Sequence, residues 1–211
     1  MRATVREVAT SAGPARLHRW VPRKGSGTTV ALGHGAGGGI EAPDLRLLVE
    51  ALVASGRTVV LVEQPWRVAG RRVAPRPVVL DDAWLAAVRS LRSRGPLIVG
   101  GRSAGARVAC RTAGALGAVG VLALAFPLHP PGAPERSRID ELMSAASRPL
   151  PVLVVQGDRD PFGTPVEVRR AVRRAGGAPH LRVVAAGRAG HGLESGLPLD
   201  AVVDWMEHLE E

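Results

Sequence analysis

The chain of 211 residues has one cysteine (Cys110), no tyrosine, two phenylalanines, four tryptophans and a single lysine, Lys24. A lone cysteine excludes an intramolecular disulfide, and no Cys/His group has zinc-ligand spacing, so neither cross-links nor a metal are implied. Aromatics at 3% leave no stacking platform for single-stranded nucleic acid. No run approaches the ~18 apolar residues of a membrane span. The opening Met1-Arg2-Ala3-Thr4-Val5-Arg6-Glu7 has no apolar signal core, so the expectation is a cytoplasmic protein without a membrane partner.

Acidic side chains are also few, 19 against 28 basic ones, giving a net charge of +9. All the basic residues except Lys24 are arginine, spread along a chain that also holds 26 glycines and 17 prolines. Dispersed arginine without a nucleic-acid motif reads as a solvated surface, and no nucleic-acid partner is expected. What is present is a core: 45% hydrophobic against 22% charged is the balance of an ordinary globular protein. The length suits a single domain spanning 1–211.

Short apolar runs alternate with helix-period segments, which predicts strand-helix-strand units and a mainly parallel sheet. Strands are expected over residues 28–32, 58–63, 97–100, 119–124, 151–156 and 181–185, with residues 3–8 and 15–21 as two antiparallel edge strands. Leu45, Leu48, Val49 and Leu52 mark one helix face, and Leu80, Ala83, Trp84, Ala87, Val88 and Leu91 the next. Thr164-Pro165-Val166-Glu167 combines an N-cap, a first-turn proline and a capping-box glutamate. Ile139 to Ala146 and Leu199 to Met206 outline two further helices.

The decisive stretch is Leu97-Ile98-Val99-Gly100-Gly101-Arg102-Ser103-Ala104-Gly105-Ala106, an apolar strand running into Gly-x-Ser-x-Gly and then a helix. A turn sharp enough to project a serine between strand and helix needs small residues two before and two after it, and Gly101 and Gly105 supply them. A serine hydroxyl is a poor nucleophile at neutral pH, so this reading requires a histidine base and an orienting carboxylate. Both follow in the chain order Ser, Asp, His. The strand 151–156 delivers Asp158 and Asp160, of which Asp160, beyond the turn, is preferred and Asp158 is the alternative. His191 lies in Gly190-His191-Gly192 after the last strand. The loop Gly33-His34-Gly35-Ala36-Gly37-Gly38-Gly39 follows the strand 28–32, which assigns the backbone N–H groups of Ala36 and Ala104 to the oxyanion hole. The same loop fits a Gly-x-Gly-x-x-Gly dinucleotide motif, but Ile40-Glu41-Ala42-Pro43 separates it from the helix, and that reading leaves Ser103 and His191 unexplained.

These residues resemble the α/β-hydrolase superfamily over essentially the whole chain, and its small lidless branch near dienelactone hydrolase in particular. The runs Gly33-His34-Gly35-Ala36-Gly37, Gly101-Arg102-Ser103-Ala104-Gly105-Ala106-Arg107, Phe126-Pro127-Leu128-His129-Pro130-Pro131-Gly132 and Gln156-Gly157-Asp158-Arg159-Asp160-Pro161-Phe162-Gly163 look like a subgroup of bacterial predicted hydrolases. That subgroup is related to the hydrolase-like domain of a regulatory subunit in a eukaryotic histone acetyltransferase complex. The resemblance implies a mainly parallel sheet of seven or eight strands with helices on both faces, no large lid, no cofactor, and a Ser103/Asp160/His191 triad. Dienelactone hydrolases carry cysteine where this chain has Ser103, so their lactone substrate does not transfer.

The function expected is cleavage of a small carboxylic ester or thioester through an acyl-enzyme; the alternative is a silent hydrolase fold serving as a binding or assembly module. Trp66, Arg67, Arg71 and Arg72, in a loop at the same end of the sheet as Ser103, are candidates for the substrate rim, where the arginines would favour an anionic acyl group. His129 either faces the site or packs against Pro130-Pro131. Protein partners are not legible.

Overall fold

The strands sort their side chains by alternation into two core layers, one on each face of a single sheet. The computed structural model describes residues 2–93, 95–146 and 149–210. The strands are β1 (Thr4–Thr10), β2 (Gly13–Trp20), β3 (Thr29–Gly33), β4 (Thr58–Glu63), β5 (Leu97–Arg102), β6 (Gly120–Leu124), β7 (Val152–Gln156) and β8 (Leu181–Ala185). Their order in the sheet is β1-β2-β4-β3-β5-β6-β7-β8, and every pairing is parallel except β1 with β2 and β2 with β4.

Val30, Leu32, Val59, Leu61, Ile98, Leu122, Leu153 and Val155 point to one face, where α1 (Pro43–Ala54) and α7 (Leu199–Glu207) cover them with Leu45, Leu48, Leu52, Val202 and Met206. Ala31, Val60, Val62, Val99, Val121, Ala123, Val152 and Val154 point to the other. That face is covered by α3 (Pro77–Arg89), α4 (Ala104–Leu116), α5 (Ile139–Ala146) and α6 (Pro165–Arg174), through Trp84, Ala109, Leu142 and Val168 among others. Strands flanked by helices on both sides are apolar at nearly every position, and β3, β6 and β7 are buried throughout, with Thr29 and Gln156 as the polar members of β3 and β7. The capping box at Thr164 forms as its residues predict, with Glu167 bonded back to the Thr164 backbone.

One expectation needs correction. Residues 15–21 were expected at an edge, but β2 lies inside the sheet between β1 and β4, with Ala15, Leu17 and Trp20 buried. The polar residues that suggested an edge are paired across strands instead, Arg16 with Glu7 at 2.9 Å and His18 with Glu63 at 3.2 Å. The edges are β1 and the half-exposed β8.

The parallel strands all end on one side, so the loops following them converge there. No large lid covers that side: between β6 and β7 the only helix among the described residues is α5, and it packs on α4. Among the described residues no helix is long and apolar enough to cross a membrane.

The start of α4 sits hard against β3. A Cβ on Gly105 would collide with the Gly33 carbonyl and stand 3.0 Å from its Cα, both rigid backbone. Gly105→Ala is therefore expected to cost about 3 kcal/mol, the upper end of the usual overpacking penalty. Urea denaturation checks this; a midpoint equal to that of the parent protein would contradict it.

Candidate active site

Ser103 stands between β5 and α4 in a left-handed conformation, φ 54° and ψ −111°, that a residue with a side chain adopts only under constraint. The constraint is visible on both sides: its N–H donates to the Leu124 carbonyl at the end of β6 (2.9 Å), and its carbonyl accepts from Arg107 in the first turn of α4 (3.2 Å). Gly101, at φ 153°, lets β5 pass so close to β3 that a Cβ there would strike the Gly33 carbonyl. Backbone geometry thus holds the serine side chain out at the sheet end.

His191 reaches Ser103 from the loop after β8, with Nε2 2.9 Å from Oγ. Its Nδ1 lies 2.9 and 3.0 Å from the two carboxylate oxygens of Asp160. A neutral imidazole with its proton on Nδ1 satisfies both contacts, donating to Asp160 and accepting the Ser103 hydroxyl proton. Asp160 is 3% exposed, and its two oxygens accept from the Phe162 N–H and from Gln156 Nε2, each at 2.9 Å. Asp158, two residues earlier, is exposed in the turn, its N–H donating to the Gly187 carbonyl. The Phe162 ring stands 4.2 Å, centroid to centroid, from the His191 imidazole.

The His191 loop is also held from below. Arg102 donates Nε to Asp44 at 2.7 Å and Nη2 to the His191 carbonyl at 3.2 Å, while Asp44, 1% exposed, also accepts from the Leu45 and Leu193 N–H groups. Sequence reasoning missed Asp44, Arg102, Gln156 and Phe162. Gln156 carried a signal, as the one polar residue ending an otherwise apolar buried strand; the Arg102–Asp44 pair joins residues far apart in the chain and carried none.

Ala36, Gly37 and Gly38 line the same cavity as Ser103 and Ala104. Ala104 opens α4, where the first N–H groups have no partner within the helix and the dipole favours negative charge. The loop carrying Ala36 is pinned by His34, which donates Nδ1 to the Gly35 carbonyl (2.9 Å) and accepts the Gln64 N–H at Nε2 (3.1 Å). Burial pushes the His34 imidazole below its ordinary 6.5, against smaller opposing contributions from the Gly35 carbonyl and Glu63. The unfolded chain then binds the proton more readily than the native one. Stability held above pH about 6.5 should be lost as pH falls from there toward the native pKa. We expect the urea midpoint to drop on acidification through this range, and to drop less in His34→Gln; equal slopes would contradict the assignment.

The cavity in front of Ser103 measures about 550 Å³ and is also lined by Pro127, Arg107, Arg138, Phe162, His191 and Glu194. Trp66, Arg67 and His129, expected from sequence at the substrate rim or facing the site, do not line it. Pro65 starts a short helix, α2 (Pro65–Val68), that turns Trp66 inward to 5% exposure, its ring 5.6 Å from that of His34. Arg67 lies over the Trp66 ring at 5.9 Å, and Arg71 and Arg72 are exposed. His129 is 7% exposed, donates Nδ1 to the Pro130 carbonyl at 2.9 Å and borders a separate groove beside α6. The glycine-rich loop opens no helix, α1 beginning only at Pro43, as the argument against a dinucleotide site requires. Among the described residues no group of three His, Cys, Asp or Glu side chains is placed to hold a metal ion.

A family model described as an alpha/beta hydrolase domain matches residues 26–195. Among solved structures, a lidless α/β serine hydrolase from Xanthomonas campestris is similar at TM-score 0.76 and 20% identity, covering 99% of this chain and 94% of its own. An α/β serine hydrolase homologue from Coxiella burnetii gives 0.79 at 17% identity, covering 99% and 97%. A thermophilic esterase from Thermogutta terrifontis, solved with malate bound, gives 0.68 at 18%, covering 99% and 100%. No curated protein matches the sequence.

Proposed function

The chain belongs to the alpha/beta hydrolase domain family, and from that premise we propose that it is a serine hydrolase cleaving a carboxylic ester or thioester of a small substrate. The observation that carries the reading is the unbroken line from Ser103 Oγ through the His191 imidazole to the buried Asp160 carboxylate, each step 2.9 to 3.0 Å, at the mouth of an open cavity.

In this reading His191 Nε2 takes the hydroxyl proton as Ser103 Oγ attacks the substrate carbonyl, and Asp160 stabilises the imidazolium that results. The negative charge developing on the carbonyl oxygen is met by the N–H groups of Ala36 and Ala104, both of which belong to residues that line the cavity. His191 returns its proton to the departing alcohol or thiol, leaving an acyl group on Ser103. Water then attacks the acyl carbon as His191 takes its proton, and the tetrahedral intermediate collapses with His191 returning that proton to Ser103 Oγ as the carboxylic acid leaves. No cofactor enters any of these steps. Similarity to serine hydrolases and an esterase supports the fold on which this chemistry runs. Rapid acid quench during turnover of short-chain 4-nitrophenyl esters and alkyl thioesters tests the proposal. The expected result is intact protein heavier by one acyl group; turnover with no acyl adduct, or no turnover by folded protein, would overturn it.

A further inference from the structure

Three arginines, Arg102, Arg107 and Arg138, line the cavity in front of Ser103, and carboxylates hold two of them. Arg102 is matched by Asp44 at 2.7 Å. Glu141 is gripped by Arg107 through Nε at 2.8 Å and also by Arg111, whose other side is taken by Asp81. Those three carboxylates are thus already engaged by three arginines. Arg138, just before α5, has no such match. It lines the cavity with Ser103, Pro127, Phe162 and His191. Among the described residues its side chain makes one hydrogen bond, from Nη1 to the Pro127 carbonyl at 3.1 Å, and no ion pair. Glu194 lines the cavity too, but it is exposed, its carboxylate lies against Gly192, and it forms no ion pair with Arg138.

A half-buried guanidinium cannot shed its proton, so its charge must be met by water or by a ligand. Burial pulls the Arg138 pKa down, the Arg107 and Arg136 charges add to it, and Glu141 opposes it only in part. Its planar fork of donors matches a carboxylate.

We propose that Arg138 is the specificity-determining residue of the site and that the substrate is an ester or thioester bearing a carboxylate, bound against the Pro127–Arg138 wall while Ser103 attacks its carbonyl. The inference rests on the hydrolase reading and deepens it: it names a substrate class and moves substrate recognition from the Arg67–Arg72 loop to the segment after β6. The carboxylate arrives either on the acyl part or on the leaving group, and both sources present the same chemistry to Arg138.

The test is a ratio of specificities. kcat/KM is measured for 4-nitrophenyl half-esters of straight-chain dicarboxylic acids against monocarboxylic esters of equal length. A second series carries the carboxylate on the alcohol instead. In one series the wild-type protein should prefer the anionic member on the order of tenfold, which at about 1.4 kcal/mol per decade equals one charge-assisted hydrogen bond. The ratio should fall toward unity in Arg138→Gln and recover in part in Arg138→Lys. In the wild type alone it should shrink as salt is added, a readout that needs no variant. Equal turnover of anionic and neutral esters in both series, or an undiminished ratio in Arg138→Gln, would overturn the proposal while leaving the hydrolase reading intact. Turnover of neither class would remove both.

Discussion

Replacing Ser103 by alanine is expected to lower ester turnover on the order of a hundred-thousand- to a million-fold, because the three hydrogen-bonded groups act as one unit and no other hydroxyl stands at 2.9 Å from His191 Nε2 among the described residues. Glycine at the same position makes a sharper experiment. At φ 54° and ψ −111° the serine backbone is strained, at a cost of order 1 to 3 kcal/mol. Glycine relieves that strain but gives back part of the gain through the greater freedom of its unfolded chain. Ser103→Gly should thus be as inactive as Ser103→Ala and about 1 kcal/mol more stable, read from urea midpoints. A variant that is both inactive and less stable would mean that the backbone at 103 is not held against its preference.

The second large effect is expected at Asp160. Its two oxygens receive Phe162 N–H and Gln156 Nε2 while facing His191 Nδ1. Asparagine has one acceptor oxygen for those donors, so Asp160→Asn leaves a buried donor unmatched or turns an amide N–H₂ toward His191, at about 1 to 3 kcal/mol of stability. With its N–H₂ toward the imidazole it favours the tautomer whose proton sits on Nε2, which cannot accept the Ser103 proton. The expected loss in kcat is about ten-thousand-fold. Asp158→Asn, at an exposed position in the turn, should change kcat by less than about twofold. Steady-state kinetics on the two variants discriminates the carboxylates directly, and a larger loss at Asp158 would reverse the assignment.

Why some features are legible in the sequence and others are not comes down to locality. The strand runs and the Leu45–Leu48–Leu52 face are local periodicities that burial enforces, and the turn around Ser103 needs small residues at fixed offsets, so each leaves a pattern within a few residues. The choice between Asp158 and Asp160 depends on how a four-residue turn aims its side chains, which composition does not encode. Trp66 reads as a rim residue because its loop follows β4, yet Pro65 starts a helical turn that swings the ring inward under His34. His129 likewise satisfies its Nδ1 on the carbonyl of its own neighbour Pro130. Arg16 and His18 read as solvent-facing because their partners Glu7 and Glu63 arrive from neighbouring strands. Arg138 is one of many dispersed arginines until folding assigns carboxylates to the others near it.

The central claim, that Ser103 is an activated nucleophile, is tested most directly by covalent labelling with a fluorophosphonate, with the adduct located by peptide mass spectrometry. The account predicts one adduct, on Ser103, that is absent in Ser103→Ala and lost in His191→Ala, while both variants still melt cooperatively. Folded wild-type protein that takes no label, or label on another residue, would contradict it and turn the search from substrates toward binding partners.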